Sequence, residues 1–261
     1  MNGIDVQELA GRLEHIESVA LLPAVDSTNF LARRIISECL ENEVPLPSAA
    51  IIALEQTAGQ GRESRAWHSP AGRGIWCTLL HTRALAELSL LPLELASAVA
   101  RFLRDEYRID AQIKWPNDVL VDGRKIAGTL IEARSREDQA FVAIGIGLNV
   151  LPLGKGAPPE AISIAEATST IVDLPGAIAA FLAALDNALF RPFARDTILD
   201  EWRALTIHRD GDRVGFAMKG ERIEGIWRGI DENGHARIEV EGNERLVSAG
   251  DLILLDQTPA S

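Results

Sequence analysis

Residues 112–131 leave the chain few choices. Gln112-Ile113-Lys114-Trp115 reads as a short strand, and Pro116 stops it because proline has no N–H to give to a ladder. The apolar runs at 119–121 and 126–131 then flank Asp122-Gly123, a pair suited to a tight hairpin turn. The region is thereby committed to antiparallel sheet. The Trp-Pro pair fixes a rigid turn and offers an aromatic wall, with Asn117 and Asp118 projecting from the strand end. There they could hold a metal or a ribose hydroxyl, or simply form a solvent-facing turn beside a tryptophan packed in the core.

Further strands are expected at 51–54, 75–80 and 141–150. Gly145 and Gly147 interrupt the last of these, where bare backbone can approach a ligand or a neighbour. Asp26-Ser27-Thr28-Asn29 places capping side chains before Leu31 and Ile35 at helical spacing. Pro92 suits the first turn of a helix reaching about Arg104, and Ile178, Phe181, Leu182, Leu185 and Leu189 mark another. After about residue 207 the helical period disappears. Short segments at 214–218, 223–227, 237–240 and 252–255 alternate partially between turn signals, which reads as a small all-β barrel appended to an α/β domain.

With 261 residues the chain can hold a sizeable core, most simply one large domain and a smaller one. Lys and Arg number 26 against 38 Asp and Glu, a formal charge of −12, which excludes a broadly basic nucleic-acid binder. Cys39 and Cys77 form no CxxC and sit in apolar surroundings, as in a reduced cytoplasmic protein. No stretch offers the roughly 20 apolar residues of a membrane span, and the N-terminus does not read as a secretory signal. The five histidines form neither HxH nor HExxH, and both a phosphate-binding GxxxxGK[ST] and a GxSxG nucleophile motif are missing.

Three clusters remain for chemistry. The polar loop at 56–65 carries Arg62 and Arg65 among glycines, so backbone N–H groups beside guanidinium forks could cradle a phosphate or carboxylate; a plain surface turn is the other reading. The second cluster is Lys114 to Asp118, followed after the hairpin turn by Arg124-Lys125. The third is Gly145-Ile146-Gly147-Leu148-Asn149, where the amide of Asn149 ends an apolar strand and needs partners from backbone or ligand.

In order and spacing these stretches resemble the biotin protein ligases. The resemblance rests on DSTN at 26–29, EQTAGQGR and the tryptophan, SP and glycines that follow it within 55–74, KWPNDVLVDGRKIAGTLIE at 114–132, GIGLNV at 145–150 and IWRGIDENG at 226–234. It implies a catalytic domain over residues 1–207, a mixed β-sheet with helices like that of class II aminoacyl-tRNA synthetases. A small C-terminal SH3-like β-barrel over 208–261 would follow. About 25 residues precede Asp26, so the short, enzyme-only form without an N-terminal DNA-binding domain is expected.

The implied activity has two steps. Biotin reacts with ATP to give biotinyl-5′-adenylate and pyrophosphate, and the lysine of a biotin carboxyl carrier protein then displaces AMP. Carried onto this chain, Ser27, Thr28 and Gln56 would meet the ureido head of biotin, and Gly59 would let backbone approach it. Arg62, Arg65 and Lys125 would be the catalytic cations, with Arg62 and Lys125 also touching the biotin carboxylate. Trp67, Asn117 and Asn149 would join Arg62, Arg65 and Lys125 at the nucleotide, and Asp118 would organise Mg²⁺. The implied partners are biotin, ATP and the carrier protein, with no DNA and no membrane, for a cytoplasmic monomer or weak homodimer. A lipoate or octanoate protein ligase and a non-catalytic biotin-binding protein are the alternatives. One departure stands out: the family loop commonly reads GRGRRGR, whereas Gln60 and Glu63 here replace cations and Ser64 a glycine. A weaker hold on the adenylate is the expected consequence.

Overall fold

The apolar runs assemble into one seven-stranded sheet in the computed structural model, which describes residues 5–218, 221–248, 250 and 252–255. Its strands are β1 (Ser18–Leu22), β2 (Ala49–Ala53), β3 (Gly74–Ala84), β4 (Gln112–Lys114), β5 (Asp118–Val121), β6 (Arg124–Arg136) and β7 (Gln139–Asn149). Their order is β1-β2-β3-β7-β6-β5-β4, with β1 and β2 parallel and every other pair antiparallel. Asp122 (φ 50°) and Gly123 (φ 73°) both turn left-handed between β5 and β6, which is what a two-residue hairpin turn requires.

Among the described residues six α-helices accompany the sheet: α1 (Val6–Ala10), α2 (Thr28–Glu41), α3 (Leu91–Tyr107), α4 (Ile164–Thr168), α5 (Leu174–Leu189) and α6 (Arg195–Leu205). The period of two along each strand decides which helix meets which residue. Ile51, Leu80 and Ala143 bury against Ala32, Ile36 and Cys39 of α2. Their neighbours Ile52, Leu79, Val142 and Ile144 belong to the larger cluster, with Leu95, Val99 and Phe102 of α3 and Phe181 and Leu185 of α5. Continuing along β7 on the α2 face, the residues after Ala143 are Gly145 and Gly147. Gly147 pairs across the strands with Gly128 on β6, so the sheet is stripped of side chains just where α2 begins. That bare patch is the floor of the site.

The C-terminal strands are β8 (Arg213–Met218), β9 (Glu221–Ile230), β10 (Ala236–Val240), β11 (Asn243–Val247) and β12 (Leu252–Leu254). They form a separate antiparallel sheet in the order β11-β10-β9-β8-β12. The expected SH3-like β-barrel is therefore corrected to an open five-stranded sheet. Closure needs the two end strands to pair, and among the described residues β11 pairs only with β10 and β12 only with β8. Alternation and turn signals specify strands and faces, but they do not say whether the edges meet. Trp227, Phe216 and Ile238 continue the large cluster from the first sheet, and Trp227 stacks on His208 with ring centroids 4.6 Å apart.

Candidate active site

The parallel pairing of β1 and β2 brings two distant motifs together. Beyond the strands the pairing continues, with Thr57 N–H donating to Val25 O at 2.9 Å and Ala58 N–H to Asp26 O at 2.8 Å. Residues 26–29 and 56–59 are thus held side by side. Ser27 is the N-cap of α2 but offers no side-chain cap bond. Gln56 supplies the missing acceptor: its Oε1 accepts from the Thr28 N–H at 2.8 Å and lies 3.1 Å from the Thr28 hydroxyl. Gln56 Nε2 donates to Ser69 Oγ at 3.0 Å, so the amide is locked at both ends.

Thr28, Gln56, Arg62, Arg65, Trp67, Asn117, Asp118, Lys125 and Asn149 line one cavity of about 200 Å³. The structure brings these nine sequence-predicted residues to a single place. Ser27 and Gly59 are not in its wall. Ser27 is buried at the helix start. A Cβ on Gly59 would lie 2.6 Å from Trp67 O and 2.7 Å from Ser69 Oγ, so what requires glycine there is the loop's own backbone.

The glycine floor is covered from above by Trp67. A Cβ at Gly147 would fall 2.3 Å from its Nε1, and one at Gly128 would fall 3.0 Å from its Cζ3. Lys125 Nζ stands 5.2 Å from the centre of the same indole, within cation–π range, and 2.6 Å from Asp118 Oδ1. A register shift between Val119 and Leu120 re-aims the hairpin so that Lys125 and Asp118 face one another. From the opposite side Arg62 donates to Asn117 Oδ1 at 3.1 Å, while Asn117 Nδ2 donates to Thr129 O at 2.5 Å. Trp115 lies between the two readings made for it: almost fully buried, it also borders the cavity. Its indole N–H donates to Gly234 O at 3.0 Å, and its backbone N–H to His208 Nε2 at 3.0 Å.

The cavity wall carries three cations, Arg62, Arg65 and Lys125, against the carboxylates of Asp118 and Glu160, a cationic site within an acidic protein. Glu63 adopts the left-handed region (φ 54°, ψ 35°) and sets its carboxylate 3.5 Å from Arg65. Cys77 also borders the cavity, but burial pushes its thiol up to about 12, too high for a nucleophile. Four buried polar atoms of residues in this wall have no partner among the described residues: Trp67 Nε1, His68 Nε2, Thr129 Oγ1 and Asn149 Oδ1. Asn149 shows why. Its Nδ2 is used by Ile162 O at 3.0 Å and Lys125 O at 3.4 Å, leaving its oxygen without a partner among the described residues. Such atoms are costly to leave unpaired, and they mark this wall as polar beneath its surface.

Sequence reasoning did not single out Asn29, His68, Gly128, Thr129 or Glu160, all of which line the cavity. Asn29 and Gly128 lay inside quoted motifs; a Cβ at Gly145 would come within 2.2 Å of Asn29 Oδ1, so that glycine makes room for the asparagine. Thr129 lay inside the same quoted motif as Gly128, whereas His68 and Glu160 carried no spacing signal.

Residues 23–149 match the Biotin/lipoate A/B protein ligase family. The Bifunctional ligase/repressor BirA of Bacillus subtilis is 32% identical over 228 residues, covering 81% of this chain and 68% of that protein. The Biotin–[acetyl-CoA-carboxylase] ligase of Paracoccus denitrificans is 31% identical over 252 residues, covering 89% and 98%. Among solved structures, the biotin protein ligase from Aquifex aeolicus in complex with biotin and ATP superposes with a TM-score of 0.68 at 25% identity, covering 91% and 98%. The cavity geometry and these likenesses agree, and the chain belongs to the biotin protein ligase family.

Proposed function

We propose that this protein activates biotin with ATP to biotinyl-5′-adenylate and transfers the biotinyl group to a lysine of a biotin carboxyl carrier protein. The observation that carries the reading is the convergence of the cations Arg62, Arg65 and Lys125 with Thr28, Gln56, Asn117 and Asn149 on one cavity. Biotin lies in the cavity with its ureido head toward Thr28 and Gln56, and its carboxylate points to Lys125 and Arg62. Attack of a carboxylate on the α-phosphorus of a polyanion is opposed by charge, and these two cations offset that repulsion as the new P–O bond forms and pyrophosphate leaves. Arg65, Asn117 and Asn149 hold the nucleotide. Trp67 covers the acyl adenylate and keeps water from it until the carrier amine arrives.

Among the described residues no group of three or more His, Cys, Asp or Glu side chains could hold a metal by itself. Mg²⁺ commonly takes only one or two carboxylates and completes its shell with phosphate and water oxygens, so the donor set fits an ion that arrives with ATP. Asp118 would hold it, and it would supply further neutralisation of the phosphates. No helix among the described residues is long and apolar enough to cross a membrane. Activity in the cytoplasm, as a monomer or weak homodimer, and a unit boundary between residues 207 and 208 complete the proposal.

The test is to incubate the protein with ATP, Mg²⁺ and either biotin or lipoate, with and without a carrier domain, and to follow AMP. Release that requires biotin and the carrier is the expected result. Release with lipoate would move the chain to the lipoate side of its family, and biotin binding without any AMP would make it a binding protein.

A further inference from the structure

Thr78 lies one layer below the cavity on β3, wholly buried and outside its wall. Its Oγ1 is 2.6 Å from Asn29 Oδ1 and 2.8 Å from Thr28 Oγ1. A hydroxyl has one proton to give. Asn29 cannot be the donor of that contact, because its amide nitrogen is committed to Leu130 O at 3.2 Å and Glu132 Oε2 at 3.0 Å. Glu132 is itself held by Arg33 at 3.3 Å, so an anion decides which way the Asn29 amide faces. The Thr78 proton therefore goes to Asn29, at the shorter of the two contacts, and Thr78 turns a lone pair toward Thr28. Thr28 then has two acceptors inside the protein, Thr78 Oγ1 at 2.8 Å and Gln56 Oε1 at 3.1 Å. Its own proton stays inward, and only lone pairs of Thr28 Oγ1 face the cavity.

We propose that Thr78, oriented by Asn29 and Glu132, is a positioning residue that makes Thr28 a dedicated acceptor, so that this end of the cavity selects a head group bearing an N–H and rejects one with an oxygen in its place. The inference rests on the reading of the cavity as a biotin site, where a ureido N–H is the donor that Thr28 meets. An oxygen there would face an oxygen with no proton between them, and sites built to bond an N–H discriminate strongly for that reason.

The experiment compares binding of biotin with that of its two cyclic-carbamate analogues, each with one ureido N–H replaced by oxygen, to the wild type, Thr78→Val and Thr78→Ser. The wild type should prefer biotin over the poorer analogue by about 100-fold or more. Thr78→Val should narrow that preference by about tenfold, because Thr28 loses its nearest inward acceptor and can rotate its proton outward. Its kcat for AMP release at saturating biotin should fall far less than its affinity for biotin, and Thr78→Ser should restore the preference. Equal weakening of biotin and analogue in Thr78→Val would reduce Thr78 to a structural role and overturn the proposal. If Thr78→Val does not fold, the wild-type comparison still decides. A wild type that binds biotin yet accepts both carbamates equally overturns this inference alone, whereas one that binds none of the three overturns the biotin reading beneath it.

Discussion

A methyl group at position 147 forces a choice between the sheet and the loop above it. In Gly147→Ala the new Cβ would sit 2.3 Å from Trp67 Nε1 and 2.4 Å from Cε2, where ordinary contact begins at 3.4 Å. The indole must retreat by about 1.1 Å, the difference of those two distances (3.4 − 2.3). The backbone of β7 cannot yield instead, since Gly147 is paired on both sides, with Trp76 and with Gly128. Trp67 is only half-buried on its loop, so it gives way and its packing over the floor is lost. Burying a large apolar side chain is worth about 1.5–3 kcal/mol. If that packing also closes over the adenylate, its loss speeds adenylate escape about 10- to 150-fold. Global stability should change little, by less than about 1 kcal/mol, because the strain leaves through the loop and not the core. The assay is a chase of preformed biotinyl-adenylate complex, with urea unfolding run in parallel. Unchanged release together with a loss of several kcal/mol in stability would refute the reasoning, since Trp67 would then be fixed core and not a cover.

Two further outcomes follow from the loop and from the junction with the second sheet. Gln60→Arg/Glu63→Arg adds cations and removes the carboxylate beside Arg65; it should slow adenylate dissociation severalfold at low salt and less at high salt, as suits an exposed pair, while identical rates would refute a role for these two positions. His208 is pushed down to about 3, by burial first and by the charge of Lys114 second. Its folded form stays neutral while the unfolded chain takes up a proton below about pH 6.5, so stability is intact above that pH and is lost progressively as pH falls toward 3. Between pH 7 and pH 5 the loss should be about 2 kcal/mol in urea titrations, and His208→Gln should remove that slope.

Legibility in the sequence followed the strength of the local signal. The β5–β6 hairpin was readable because Pro116 and Asp122-Gly123 punctuate it, and α3 and α5 because their apolar stripes are unbroken. The period gave no warning of β1, β11, α4 or α6: β1 and α4 are five residues each, and α6 mixes Arg, Asp and Glu among Ile198, Leu199 and Trp202. Motif residues on neighbouring strands converged because strand pairing does not depend on separation along the chain; Thr28 and Gln56 meet through β1 and β2, Arg62 and Asn117 across the cavity mouth. What stayed hidden was whatever depends on closure or on a second layer. The open edges of the C-terminal sheet belong to the first kind. Thr78 belongs to the second, a threonine within an apolar strand whose meaning appears only when Asn29 stands beside it.

The convergence of Arg62 and Lys125 on one reacting bond is tested most directly by separating binding from chemistry in Lys125→Ala. A unit charge about 4 Å from developing charge, at an effective dielectric of about 20, is worth about 4 kcal/mol, and the partial exposure of this lysine brings that to about 2–4. The account predicts that single-turnover adenylate formation slows about 30- to 1,000-fold while the Kd for biotin without ATP rises no more than a few fold. An equal loss in rate and in biotin affinity would contradict it and leave Lys125 as a residue that only holds the substrate.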